Sequence, residues 1–346
     1  MHIFVTGGAG KVGRALVYRL IEGGHSVRLI GRKERPEHEA GEYRVCDITN
    51  YAELREQVRG MDRIIHLAAI PGPGSVPSQQ LFHINCQGTY NIYQAAVEEG
   101  IDHVCCASSI NYLGFTFGHK PMQIRYFPID EDHPGYSTDP YSFSKQTMEE
   151  IGAYFWRREG LSSLLVRIPG VYPEGGERQN ELARESLTAR GRIAEILEIP
   201  EPRRQDAARQ MIDEFLRVRF DFYRDFKFRE KHNEYYAIVK SRDYSPLSAA
   251  YGFTDFWTSI ADTDAARAME LAITVPYTGC HPLFVNDTLN GLGLESETLA
   301  KLFFPDAHMR GRRMVGNESL VCADRARHLL GFEPQVHLCQ VADALQ

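Results

Sequence analysis

Apolar and polar positions follow two rhythms along the first half of the chain. Short apolar runs at 2–5, 26–30, 43–46, 63–67, 103–107 and 163–167 read as strands. The run 63–67 is nearly continuous, as a strand covered on both faces requires. Between these runs, apolar residues recur at three and four, which reads as helix. Residues 14–22 place Ala15, Leu16, Leu20 and Ile21 on one face. Asn50-x-x-Glu53 has the form of a capping box opening the next helix. Residues 79–99 and 139–159 read as long helices, the second with Pro140 in its first turn. Strands and helices in alternation predict βαβ units, right-handed crossovers and a parallel sheet.

The pattern shifts after Tyr172. Residues 174–242 are rich in Arg and Glu, and Ala208, Met211, Phe215, Val218 and Phe222 recur at helical spacing. Arg204, Arg209, Arg217, Arg219 and Arg224 decorate the rest of that helix, as a solvated face, a lid or an oligomer contact. Residues 258–273 read as helix, 279–285 as a late strand, and 324–330 as a short helix closed by Gly331 with Pro334 beyond. This divides the chain into a dinucleotide-binding part at 1–172 and a mainly substrate-binding part at 173–346, with 256–275 returning to the first.

Composition excludes several classes. The chain has 346 residues, 43% hydrophobic and 25% charged, as in an ordinary globular protein. A net charge of −7 argues against nucleic acid or an anionic membrane as partner. No apolar run is long enough to span a bilayer, and the first residues enter a strand directly, so no signal peptide is read. The 7 cysteines include no C-x-x-C pair and read as buried thiols in a reducing cytoplasm. The 13 histidines show no ligand spacing, so no metal is expected.

Chemistry enters at Thr6-Gly-Gly-Ala-Gly-Lys-Val-Gly13, between the first strand and the first helix. Glycines there permit positive φ and a close approach of pyrophosphate, and the helix N-terminus offers free N–H groups. The implied fold class is α/β, a Rossmann-like doubly wound parallel sheet with a smaller C-terminal substrate-binding part. At the end of the second strand, where an acid would bind a ribose 2′-hydroxyl, stand Gly31-Arg-Lys33. Gly31 leaves room, and Arg32 can pair with a 2′-phosphate, which favours NADP over NAD; the same residues also suit a solvated loop. Tyr141-Ser-Phe-Ser-Lys145 sets a phenol and an amine one helical turn apart. A free phenol titrates near pH 10, too high for a neutral-pH base, and an adjacent ammonium favours its ionised form. Ser108-Ser109 ends the strand between the glycine turn and this pair.

Together these residues resemble the extended short-chain dehydrogenase/reductases, in the NAD-dependent epimerase/dehydratase family. The resemblance is carried by Thr6-Gly7-x-x-Gly10-x-x-Gly13, Asp47-Ile48, His66-Leu-Ala-Ala69, Asn85, Ser109 five before Gly114, and Tyr141-x-x-x-Lys145. It continues through Arg167-Ile-Pro-Gly-Val-Tyr172, Phe256-Trp-Thr-Ser-Ile-Ala-Asp262 and the run 323–334. It implies Ser109, Tyr141 and Lys145 as catalytic residues. It implies a cofactor site of Gly7, Gly10, Lys11, Val12, Gly13, Arg32, Asp47, Ile48, Leu67, Ala68, Ala69, Asn85, Tyr141, Lys145, Pro169 and Val171. Ser109, Asn111 and Arg178 are the candidate substrate contacts, Arg178 as partner to a carboxylate or phosphate or else in a surface ion pair.

Ser109 is followed by Ile-Asn-Tyr, without the Asp-Glu pair of nucleotide-sugar dehydratases, which disfavours dehydration. The run 107–115 is also similar to uronate dehydrogenases. The implied activity is that of an NAD(P)-dependent oxidoreductase or epimerase on a sugar, uronate or nucleotide-sugar hydroxyl. The alternative is a catalytically silent NAD(P)-binding sensor. The family resemblance also implies a homodimer through the helices carrying Asn91 and Met148.

Overall fold

The strand β1 (His2–Thr6) stands near the middle of a seven-stranded sheet. In chain order the other strands are β2 (Ser26–Gly31), β3 (Glu42–Val45), β4 (Arg63–His66), β5 (His103–Ser109), β6 (Tyr126–Phe127), β7 (Ser162–Ile168), β8 (Gly170–Tyr172), β9 (Ser259–Ala261), β10 (Cys280–Phe284) and β11 (His308–Met309). The sheet runs β10-β7-β5-β4-β1-β2-β3, with every pair parallel. The predicted parallel α/β sheet and its six early strands are thus present, and the late strand joins it beside β7. Two small parallel pairs, β6 with β11 and β8 with β9, stand apart. The computed structural model describes residues 1–34, 41–120, 122–224 and 252–346.

The order reverses between β1 and β4, which opens a crevice at the carboxyl ends of these strands. The glycine turn leaves β1 at that point and enters α1 (Lys11–Glu22). This helix starts three residues before the periodicity suggested and turns Leu16, Val17 and Leu20 inward. Ile21, expected on that face, is exposed. The helix Asp262–Thr274 covers α1 with Ala265, Ala268, Met269 and Ala272, small side chains that let the axes approach, and Arg19 pairs with Glu270 at 2.5 Å.

The remaining helices of the first part are α2 (Tyr51–Val58), α3 (Ser78–Phe82), α4 (Gly88–Glu98) and α5 (Pro140–Glu159). Asn50 does precede α2, but its side chain makes no capping bond, so the expected capping box is not formed. The expected continuous helix over 79–99 is broken by a π-turn at His83–Gln87. On this side of the sheet Ile64, Val104 and Cys106 pack against Ile92, Tyr93, Met148 and Phe155.

Among the described residues, the charged region after Tyr172 holds the helices α6 (Gly176–Leu197) and α7 (Arg203–Arg224). Ala208 and Met211 are buried, as their spacing suggested. The side chains of Phe215, Val218, Phe222, Arg217, Arg219 and Arg224 lie outside the described residues. The expected helix over 258–273 begins later, because Ser259–Ala261 forms β9 beside β8. Phe127, Phe253, Phe256, Trp257, Phe303 and Phe304 build the second core. Phe256 and Trp257 hold φ of 56° and 50°, a left-handed conformation that costs a non-glycine residue about 1–2 kcal/mol. Burial of both rings offsets that cost.

Candidate active site

The turn after β1 is shaped by close backbone approach. Gly7 has φ +73°, and a Cβ on it would stand 2.7 Å from the Ala68 nitrogen. A Cβ on Gly13 would stand 2.5 Å from the Gly7 oxygen and 2.6 Å from the Gly8 oxygen. Backbone atoms cannot give way as side-chain tips can, so both positions require glycine. Gly10 would meet only the Gly7 oxygen, at 3.2 Å, so its other sides are open. Gly10 is also the N-cap of α1 and supplies no side-chain capping bond. The first N–H groups of α1, at Lys11, Val12 and Gly13, are therefore left for a ligand, and the helix dipole favours an anion there. This cradle fits a dinucleotide pyrophosphate.

Across the crevice Leu67, Ala68 and Ala69 are half-buried at the end of β4. The Thr6 hydroxyl accepts from the Ala68 N–H at 3.0 Å and lies 2.7 Å from His66 Nδ1. His66 Nε2 lies 3.2 Å from the Thr89 hydroxyl, which donates to the Asn85 carbonyl at 2.6 Å. His66 is buried, and burial, helped by the charge of Lys145, lowers its pKa to about 3. This neutral imidazole ties β1 and β4 to α4, and nothing in its local sequence signals that.

Ser109, Tyr141 and Lys145 come from β5 and α5. Asp139 caps α5 by accepting from the Tyr141 and Ser142 N–H groups at 3.0 and 2.8 Å, so the pair sits in the first two turns. Lys145 is 3% exposed, and its Nζ donates to the Ala107 carbonyl at 2.7 Å. That Nζ stands 5.6 Å from the centre of the Tyr141 ring. Phe117 packs edge-on against Tyr141 at 5.6 Å. The Tyr141 hydroxyl makes no hydrogen bond to a described residue, although the side chain is 6% exposed. Ser109, two residues beyond Ala107, opens a 3-10 turn, Ile110–Leu113, and its hydroxyl accepts from the Asn111 N–H at 3.1 Å and side-chain amide at 3.2 Å. Asn111 is 8% exposed and its Oδ1 is without a partner among the described residues. An acceptor in that position is suited to a substrate hydroxyl.

Other expected site residues divide into those near the crevice and those held elsewhere. Asp47 accepts from the Thr49 N–H and hydroxyl at 2.9 and 2.8 Å, and Ile48 packs on Gly88. Pro169 is buried, and Val171 is half-buried against the sheet core. Arg32 is exposed beyond β2. The space that Gly31 was expected to leave is taken by the Tyr43 hydroxyl, which donates to the Lys33 carbonyl at 2.5 Å.

Asn85 is fully buried and its amide is spent. Its oxygen accepts from the Ile70 N–H at 2.8 Å, and its nitrogen donates to the Ile70 carbonyl and the Ser144 hydroxyl at 3.2 and 3.0 Å. It staples the loop after β4 to the π-turn and α5, a structural role that the sequence also allowed for this asparagine. Arg178 lies on the exposed start of α6, 2.8 Å from Glu181 and 4.0 Å from Glu185. A substrate anion would have to displace these acids, so the surface-pair reading is the one the geometry favours.

All seven cysteines are free, and burial pushes the thiol of Cys106, in β5, up to about 12. Among the described residues, no cluster of His, Cys, Asp or Glu could hold a metal ion, and no helix is long and apolar enough to cross a membrane.

A model of the NAD dependent epimerase/dehydratase family matches residues 3–213, and the chain belongs to that family. The uronate dehydrogenase of Pseudomonas syringae pv. tomato is 28% identical over 182 residues, 51% of this chain and 62% of that protein. The L-arabinose 1-dehydrogenase (NAD(P)(+)) of Haloferax volcanii is 33% identical over 172 residues, 48% of this chain and 66% of that protein. The chain thus spans less than two-thirds of either relative. A short-chain dehydrogenase/reductase superfamily protein from Agrobacterium tumefaciens, solved with bound NAD, has a TM-score of 0.64 at 19% identity, covering 99% of this chain and 95% of that one. That likeness establishes the shared fold.

His66 gives the site a defined response to acid. Its folded pKa of about 3 lies below the ordinary 6.5, so the unfolded chain takes up the proton first. The neutral form stabilises the fold above pH 6.5, and that contribution declines as pH falls toward 3, by up to about 1.4 kcal/mol per pH unit. Histidine-selective NMR at pH 5 should show the His66 ring with a single N–H. An imidazolium signal from that ring contradicts the assignment.

Proposed function

We propose that the chain is a nicotinamide-dinucleotide-dependent oxidoreductase or epimerase acting on a secondary hydroxyl of a sugar, a uronate or a nucleotide sugar. The observation that supports this reading is that Lys145, one helical turn from Tyr141 on α5, reaches the open end of β5 two residues before Ser109. There the Lys145 amine is bonded to Ala107, and the Tyr141 hydroxyl is left for a ligand. The cradle formed by Gly7, Gly10 and Gly13 holds the pyrophosphate, with Ala68 and Ala69 as the opposing wall. A bound nicotinamide supplies the hydride acceptor or donor. Tyr141 Oη takes the hydroxyl proton when the carbinol carbon is oxidised and returns it on reduction. Lys145 has two further donors, one for a ribose hydroxyl and one for the phenol oxygen. Ser109 donates to the substrate oxygen, and Asn111 Oδ1 accepts from a neighbouring substrate hydroxyl.

Two related names, uronate dehydrogenase and L-arabinose 1-dehydrogenase, favour net oxidation of a free sugar over epimerisation. Ile110 and Asn111, standing where a dehydratase has Asp and Glu, make water elimination the least favoured outcome. NADP is favoured over NAD because no acid ends β2, where Arg32 is exposed. The second relative is itself named for both cofactors. A second copy of the chain is the proposed partner. Tyr90, Phe143 and Tyr154 are exposed on α4 and α5, and Phe143 stacks on Phe82 at 5.3 Å. Asn91 and Met148, on the same helices, are buried inward and would not take part.

Three measurements test these proposals. Tyr141→Phe should leave dinucleotide affinity within about twofold and lower turnover about 10²–10⁴-fold on a sugar the parent oxidises, the usual size of a general acid–base contribution. Turnover at the parent rate sinks the mechanism, and a parent that binds dinucleotide yet turns over no sugar, uronate or nucleotide sugar supports a silent sensor. Arg32→Ala should weaken NADP by about 10–100-fold, the value of a charge-assisted bond, with little effect on NAD; equal loss for both cofactors removes the NADP preference. Phe143→Glu should shift a dimer to monomer in sedimentation at micromolar concentration, and a parent that is already monomeric rules out the assembly.

A further inference from the structure

We propose that Glu149 and Arg167 are positioning residues that lock the turn carrying Ser109 and Asn111 to the helix carrying Tyr141 and Lys145. This rests on the catalytic reading above and names what holds that site in register. Arg167 is among the largest fully buried side chains, at 1% exposure near the carboxyl end of β7. Its Nε and Nη2 donate to the two Glu149 oxygens at 2.9 and 2.8 Å. Its Nη1 donates to the Glu131 carbonyl at 3.2 Å. Its guanidinium carbon lies 3.6 Å from the centre of the Tyr112 ring. Glu149 also accepts from the Ser108 hydroxyl at 2.5 Å.

The network touches each side of the reacting centre one step away. Tyr141, Lys145 and Glu149 follow at i, i+4 and i+8 on one face of α5. Ser108 lies between Ala107, whose carbonyl holds Lys145, and Ser109. Tyr112 lies in the turn that Ser109 caps, and its carbonyl accepts from the Gln146 side chain of α5 at 2.7 Å. A guanidinium suits this junction because its two edges and its flat face have fixed relative directions. A lysine offers a point charge and cannot hold a carboxylate bidentately while stacking on a ring.

Stability is a poor explanation for the pair. Buried ion pairs often contribute no more than apolar residues of similar volume, because both charges lose their water. What the pair adds is direction. It fixes the angle between α5 and β7, and through Tyr112 it fixes where the turn Ile110–Leu113 lies over that angle. Neither residue has a role in moving protons.

The test uses the full chain and reads amide hydrogen exchange alongside kinetics. Glu149→Gln does not alter any residue of the turn. It should nevertheless raise exchange across Ile110–Leu113 by about tenfold or more, with the Gly7–Gly13 turn unchanged. Ser108→Ala and Tyr112→Leu should act alike, Tyr112→Phe should behave as the parent, and Arg167→Lys should not rescue. On any sugar the parent turns over, the loosening variants should lose about 10–100-fold in kcat with KM for the dinucleotide within about twofold. Unchanged exchange at Ile110–Leu113 in folded Glu149→Gln overturns the proposal, as does exchange rising equally over the whole sheet. Should Glu149→Gln fail to fold, Ser108→Ala and Tyr112→Leu decide by the same measure. A parent inactive on every sugar defeats the catalytic reading, while the exchange result still judges the coupling.

Discussion

Lys145 carries an amine into a position 3% exposed, where its hydrogen-bond partner is a backbone carbonyl, Ala107. No described carboxylate pairs with it, and much of the surrounding structure follows from that. A cation taken out of water needs its neighbours neutral or negative. His66 is neutral, and burial together with the Lys145 charge keeps it so. Cys106 is held as a thiol. The nearest full charges on the same helix face and strand, Glu149 and Arg167, cancel one another in a bidentate pair. Amine donors not used by Ala107 remain for oxygen atoms brought by a ligand. A carboxylate in the site would have satisfied Lys145 and ended its usefulness.

The parallel sheet was legible in the sequence because its strands leave short apolar runs alternating with helical periodicity; their order was not read there. Gly7 and Gly13 were legible for a stronger reason: their surroundings leave no volume for a side chain. The Tyr141/Lys145 pairing could be read from helical spacing, whereas the role proposed for Ser109 rests on the family resemblance. The π-turn at His83–Gln87 could not be read from spacing, since its supports, Ile70 and Ser144, lie 15 and 59 residues from Asn85. Thr6 and His66 are 60 residues apart, and Arg167 is 18 from Glu149 and 36 from Glu131. Such partners meet only once the sheet is ordered. Asn50 shows the opposite failure: a correct local signal for a helix start whose side chain takes no part in it.

The C-terminal half divides between the sheet and the second core. Helix Asp262–Thr274 and strand β10 belong to the sheet, while Phe253, Phe256, Trp257, Phe303 and Phe304 form the other core. The chain passes from one to the other at Phe256-Trp257, with both residues in a left-handed conformation. Buried aromatic packing on the far side holds that turn and aims Ser259–Ala261 at β8. The segment after β7, with Pro169 and Val171, is therefore fixed by residues some ninety positions later. The aromatic core with the parts of α6 and α7 packed on it is thus a packing unit separate from the core beside the crevice between β1 and β4.

This separation bears on reaction class. Around Ser109 the turn Ile110–Leu113 contributes an isoleucine, an amide, a phenol stacked on Arg167 and a leucine. None is a carboxylic acid. In the proposed mechanism Tyr141 is then the group that exchanges a proton with substrate. A single acid/base suffices where one hydroxyl proton leaves as its carbon is oxidised, and it suffices again when the proton returns. Elimination of water needs a second group, to protonate the departing oxygen while a carbon-bound proton is removed. Ile110 is inert in that role, and the Asn111 amide can orient a hydroxyl without ionising. The chemistry that remains is oxidation and reduction at one carbon.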